Sequence, residues 1–379
     1  MKFNRMLLLV FAGLISVLLT ACGAAPLANW PGMTSDGKNV YLSNGQVVYT
    51  VKVSDGTELT TTATDGSSVS MRFPPKLDSA PLFYVAPTFY GAPALTPDGQ
   101  MILGDASTLT NVHSIYSVDP ATDSTKWTFA EAKGNWIAGA VVSADAIYAA
   151  AGDGKVYAID FKGKKLWDVN VSDHALWTSP VTDGKLVYVA TLAHDVIALD
   201  PATGEQRWKK TLDNAIIGAP AISADGMLYV GTLSGNLYAI NAAEGSQVWL
   251  TQLQGGIWST PALDGDTLYV GTSNGTAGKF YAINPADGKL LRTIDDTGAI
   301  VASPLITKDQ VIYVTEEGHI NFFHKDGSRS IPVISIENAK IYTTPILVGD
   351  LILIAPMNAP FILAAYNQTG VQQWAFAPK

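Results

Sequence analysis

The sequence predicts an all-β fold, an eight-bladed β-propeller of four-stranded antiparallel blades. Three observations predict it. An anchor residue recurs at Pro31, Pro93, Gly139, Pro180, Pro220, Pro261, Pro304 and Pro345; six of the seven spacings lie between 40 and 46 residues, and the first is 62. Within a unit, short β-prone runs alternate with turn residues. Between Pro220 and Trp249 these runs are PAIS, MLYVGT, NLYAIN and SQVW, separated by Asp225-Gly226, Ser234-Gly235 and Glu244-Gly245. The units also close on a common ending, A-x-D/N-x-x-x-G-x-x-x-W. A four-stranded sheet cannot bury both faces alone, so copies near forty residues long must stack on one another around an axis.

Composition agrees. Hydrophobic residues make up 47% of the 379-residue chain and charged residues 15%, enough apolar material for eight packed sheets. The formal charge is −9, with no Lys/Arg cluster, which argues against a nucleic-acid partner.

Taken in order, residues 1–21 read as an export signal. Lys2 and Arg5 precede an apolar run from Met6 to Leu19, too short for a comfortable membrane span. The run ends in Leu19-Thr20-Ala21-Cys22, which resembles a bacterial lipobox. That resemblance implies a lipid on Cys22, the only cysteine of the chain. Residues 22–29 form a tether. Its seven residues after Cys22, GAAPLAN, reach about 25 Å when extended, so a lipid there holds the propeller close to a membrane. The propeller is expected over 30–379, with an insertion at about 60–89. That insertion opens on the polar TTTATDGSSVS and continues into the aromatic, Pro-rich FPPKLDSAPLFYVAPTFY.

The common ending supplies Trp127, Trp167, Trp208, Trp249 and Trp374, each expected to lie across the seam to the next blade. In unit two, Ser117 and Asp123 stand for Ala and Gly. Unit six has Arg292 where Trp is expected, and units one and seven lack the Trp. Three residues before each anchor stand Ala28, Tyr90, Trp136, Trp177, Ile217, Trp258, Val301 and Tyr342. Equivalent positions of a closed propeller lie on a ring. Tyr90, Trp136, Trp177, Trp258 and Tyr342 are therefore expected as an aromatic collar at one mouth of the axis, able to receive a ligand or a partner. Packing of the same rings between inner strands is the competing expectation.

Enzymatic constellations are missing from the sequence. There is no G-x-S-x-G and no H-E-x-x-H. The histidines 113, 174, 194, 319 and 324 lie apart, and the recurrent Asp-Gly pairs suit hairpin turns better than calcium loops. No catalytic residue and no metal site is assigned.

The tryptophan ending resembles the docking motif of the pyrroloquinoline-quinone (PQQ) type propeller repeat, over roughly residues 30 to 376. Dehydrogenases of that type hold PQQ on the axis with calcium and often a vicinal disulfide. This chain has neither the cysteines nor the long insertions, so no cofactor is expected. A lipobox, a short tether and eight such repeats are together similar to the BamB family of outer-membrane assembly lipoproteins. That resemblance implies a non-catalytic scaffold, lipid-anchored to the cell envelope on the periplasmic face of the outer membrane where the host has one and at the cell surface otherwise, with envelope proteins, those of the β-barrel assembly machinery among them, as partners. A surface-anchored propeller binding a ligand or polysaccharide at the collar is the alternative, and a PQQ-dependent dehydrogenase a more remote one.

Overall fold

The computed structural model describes residues 31–62, 67–74, 86–107, 113–296 and 298–378. Cys22, the tether and Trp30 lie outside the described residues. Those residues form eight four-stranded antiparallel sheets and one two-stranded hairpin. In each blade the strands run from inside to outside in chain order. Blade five is typical: Ala221–Ile222, Met227–Gly231, Asn236–Asn241 and Gln247–Gln252. Its turns are those the sequence marks. Gly226, Gly235 and Gly245 have φ of +84°, +87° and +72°, and the Asn241 Oδ1 accepts the amides of Ala243 and Glu244 at 3.0 and 3.2 Å.

The second and third strands carry the core. Leu228, Val230, Leu237, Ala239 and Ile240 of blade five are fully buried, because each blade face is covered by a neighbour. The eight apolar clusters accordingly straddle blade boundaries rather than filling single blades. One joins Tyr188 and Val196 to Leu228 and Ile240 across blades four and five.

Blade one departs from the expected boundary. Its first three strands are Gly32–Ser35, Asn39–Asn44 and Val47–Lys52, but its outer strand is Arg72–Phe73, inside the stretch expected as an insertion. What is added to the blade is a hairpin of Thr60–Thr62 and Ser68–Ser70, interposed between third and fourth strands. The long first spacing thus combines this arm with the residues that lead to Pro93.

The ring closes without a shared blade. The first sheet is built wholly from the N-terminal segment and the last from Ile346–Val348 to Gln372–Phe376. A single apolar cluster joins them, with Met33, Val40, Leu42 and Val51 against Leu353, Ala355, Leu363 and Phe376.

Candidate interaction face at the axis

The seams position everything else. Each docking tryptophan donates its Nε1–H to a backbone carbonyl of the next blade: Trp127 to Phe161, Trp167 to Pro201, Trp208 to Ala242 and Trp249 to Pro285, at 2.8–2.9 Å. Trp374 closes the circle on Val53 at 2.9 Å. Each ring lies over a glycine of that next blade, Gly163, Gly204, Gly245, Gly288 or Gly56. A Cβ on any of these would meet the indole at 2.5–2.7 Å. The remaining seams use substitutes. The Arg292 guanidinium lies over Gly327, and Ile331 over Gly370. At the first seam Asp123 replaces glycine at φ +53°, and its carboxylate accepts the Arg72 backbone amide.

The loops from each outer strand to the next inner strand carry the collar. Two successive positions matter. The residue four before the anchor is an apolar plug, fully buried at Leu176, Ile216, Ile257, Ile300 and Ile341. Its amide donates to the end of the second strand of the preceding blade, as Leu176 N–H does to Ala151 O and Ile257 N–H to Thr232 O. The next residue is the collar, and period-two alternation turns it to the opposite side. Trp177 is 42% exposed and Trp258 38%. Tyr90, Ile217, Val301 and Tyr342 are half-buried. The Tyr342 hydroxyl donates to Glu316 Oε1 at 2.8 Å; burial, followed by that carboxylate, pushes it up to about 12.

Trp136 is not part of the collar. It is 1% exposed, packs against Phe129 and Tyr157 with ring centroids at 6.4 and 5.3 Å, and its amide donates to Asp105 O as the plug amides do. A Cβ on Gly104 would collide with Trp136, just as one on Gly231 or Gly271 would collide with the plugs Ile257 and Ile300. The inner strand of blade three begins at Val141, whereas the others begin directly after their proline. The anchor of that unit is thus Ala140, not Gly139. Shifting by one residue exchanges collar for plug, and Ile137 takes the collar position.

Inside the collar the backbones almost touch. A Cβ on Gly91 would lie 2.8 Å from the Gly139 amide. Thr260 N–H donates to Ser303 Oγ at 3.0 Å and Ser303 N–H to Thr344 Oγ1 at 3.2 Å, so a girdle of small residues ties inner strands to each other. The loops around it are anchored by carboxylates. Asp213 accepts from Thr232, Asn236 and Tyr238 at 3.1, 2.8 and 2.9 Å, and from Ser234. Asp296 accepts from Tyr313 at 2.9 Å and Asn321 at 3.3 Å. Two large indoles therefore stand exposed on a face whose scaffold is fixed by hydrogen bonds. Among the described residues no group of three or more His, Cys, Asp or Glu converges as a metal site would require. His174 is exposed on a loop, His324 is exposed at the end of the strand His319–His324, and His113 is buried.

The seams define a class: a repeat propeller locked by tryptophan-on-glycine docking, with Trp177 and Trp258 exposed on the loops that lead into two of its inner strands. The family of outer membrane protein assembly factor BamB matches residues 111–193 and 234–377, more than half of the chain. The chain belongs to that family. A curated relative, outer membrane protein assembly factor BamB of Xanthomonas campestris pv. campestris, is 34% identical over 84 residues. That alignment takes in 20% of this chain and 21% of the relative, so the chain matches about a fifth of the relative's length. Among solved structures, BamB from Moraxella catarrhalis superposes with a TM-score of 0.64 at 16% identity, over 90% of this chain and 94% of the other. The computationally designed Ika8 protein superposes at 0.68 with 12% identity, over 92% and 96%. Likeness at those identities speaks to the fold alone.

Proposed function

We propose that this protein is a non-catalytic scaffold of outer-membrane β-barrel assembly, tethered by a lipid on Cys22, whose axial aromatic face docks an envelope protein of the assembly machinery. The observation that carries the reading is the pair Trp177 and Trp258. A closed ring of blades has no internal use for two indoles held 42% and 38% in water. Exposed aromatics on a rigid frame are the usual anchors of protein recognition. Family membership supports the choice of partner. The lipobox resemblance supports the location, a lipid-anchored protein on the periplasmic face of the outer membrane. No catalytic step and no cofactor is assigned.

Gentle solubilisation and affinity purification of the tagged full chain tests this. A β-barrel assembly component is expected to co-purify with the wild type and to be lost from Trp177→Ala/Trp258→Ala, while Cys22→Ser shifts the protein out of the membrane fraction. Retention of the component by the double variant would remove the collar from the reading, and absence of any such component from the wild type would remove the assembly role.

A further inference from the structure

The docking tryptophans are not all finished alike. In blades three, four and five the far face of the indole is covered by a tyrosine of the second strand. Tyr148 lies on Trp167, Tyr188 on Trp208 and Tyr229 on Trp249, with ring centroids 5.7–6.0 Å apart and planes within 31–40°. Register fixes these pairs, since Tyr148, Ala158 and Trp167 stand opposite one another across three strands. The same rung of blade two reads Ile102, Ser117, Trp127. Among the described residues no tyrosine ring is paired with Trp127. In its place Gln100 reaches in, donating through Nε2 to Phe161 O at 3.3 Å, as Tyr148 and Tyr229 donate to the Pro201 and Pro285 carbonyls. Blade eight also lacks the tyrosine, with Leu353 on the rung of Trp374.

Beside Trp127, on this blade without the covering ring, lies an open cavity of about 490 Å³. Its walls are Trp127, Phe161 and the Asp98–Gln100 turn, and its rim carries Asp119, Lys126 and Lys162. That size falls within the roughly 300–1,000 Å³ of small-molecule sites. The polar groups are poised. Asp98 accepts from Thr96 and Gln100, and Asp119 from Lys126 at 2.8 Å, and both carboxyls are held below their ordinary range by those bonds. Two carboxylates and two ammonium groups cancel, so the cavity has no net charge to offer an ion. What it offers is an indole beside acceptors and donors in one concave space. A neutral saccharide ring matches this: its axial C–H face stacks on the indole while its hydroxyls donate to the two carboxylates. A planar aromatic without hydroxyl or amino groups would stack as well but would bring no donors to Asp98 and Asp119.

We propose that this cavity on the rim between blades two and three is a binding site for one neutral pyranose unit. The site is separate from the axial face and does not rest on the assembly reading. Saturation-transfer NMR tests it, using methyl glucoside and N-acetylglucosamine against the full chain in a detergent without sugar headgroups. The wild type is expected to transfer saturation chiefly to ring C–H protons of one or both sugars. Ile102→Tyr restores the missing ring and is expected to bring the signal to background. Asp98→Ala, an exposed change that leaves the core untouched, is expected to reduce it strongly, and Trp177→Ala to leave it unchanged. Absence of transfer to either sugar in the wild type would overturn the proposal. So would equal transfer in wild type, Ile102→Tyr and Asp98→Ala, and so would loss of transfer in Trp177→Ala, which would move the sugar to the axial face.

Discussion

At Gly204 the backbone has φ +74° and the Trp167 ring lies where a Cβ would stand; at Gly226 φ is +84° and nothing lies within 4 Å. Comparing the two separates backbone strain from seam packing. Gly226→Ala is expected to cost only the left-handed conformation, about 1–2 kcal/mol. Gly204→Ala adds the overpacking of an indole that cannot leave without breaking its bond to Pro201, so about 2–5 kcal/mol is expected in denaturant titrations. Equal losses would show that the seam yields freely. Asp123 is the opposite case, a carboxylate in a glycine position. It is 9% exposed, and its Oδ1 has no hydrogen-bond partner among the described residues. Burial raises it from 3.8 to about 6, against the Arg72 amide and with Asp119 and Glu58 adding to the rise. A raised acid binds more protons in the fold than in the unfolded chain between those values. Its contribution therefore falls as pH rises from about 4 to 6, and the penalty is complete above 6. Asp123→Asn is accordingly expected to stabilise at pH 7, by on the order of 1–3 kcal/mol, and to be neutral near pH 4. Thermal melts at the two pH values check the sign.

Among the seams between blades, seven are crossed by the chain itself, and the eighth is held by contact alone. That eighth seam joins Leu351–Ile354 and Leu363–Asn367 to Asn39–Asn44, through a shared apolar cluster and the Trp374 bond to Val53. Removing that ring has a different consequence from removing its equivalents, because no covalent link keeps the two blades together when the contact fails. Trp374→Ala is expected to cost about 3 kcal/mol and to raise hydrogen exchange selectively in the first and last blades. Trp208→Ala, inside the ring, is expected to spread a smaller exchange increase over blades four and five. Identical exchange maps for the two variants would show that closure is no weaker than any other seam. At this scale the sequence was readable where the repeat is regular. The runs around Met227–Gly231 and Asn236–Asn241 carry alternation and Gly turns that only hairpins satisfy. It was less readable in blade one, whose two-residue outer strand, Arg72–Phe73, follows a polar hairpin and carries too little alternation to mark itself.

For the whole molecule, the period near forty residues specified eight blades. It did not specify which side each loop residue faces. Trp136 illustrates the limit: its type matches the collar, yet one residue of register places it among the plugs. The signal that resolves it is tertiary in origin. Gly104, Gly231 and Gly271 each end a second strand, and each makes room for a plug residue. The substitutes Arg292 and Ile331 were equally hidden, because a guanidinium or an isoleucine covers a glycine without resembling an indole. The rung of Trp127 carries Ile102 where three other blades carry a tyrosine, and a missing ring leaves no motif. Of the collar positions, Trp177 and Trp258, at the same spacing from Pro180 and Pro261, are the two that stand exposed. On the function proposed above, the partner docks over Trp177 and Trp258. Site-specific photo-crosslinking in cells tests it most directly, with a photoreactive phenylalanine at 177 or 258, and at the exposed outer-strand positions Val248 and Leu290 as controls. One strong adduct with a β-barrel assembly component is expected from 177 and 258 and none from 248 or 290. Adducts from the outer strands alone would contradict docking on this face.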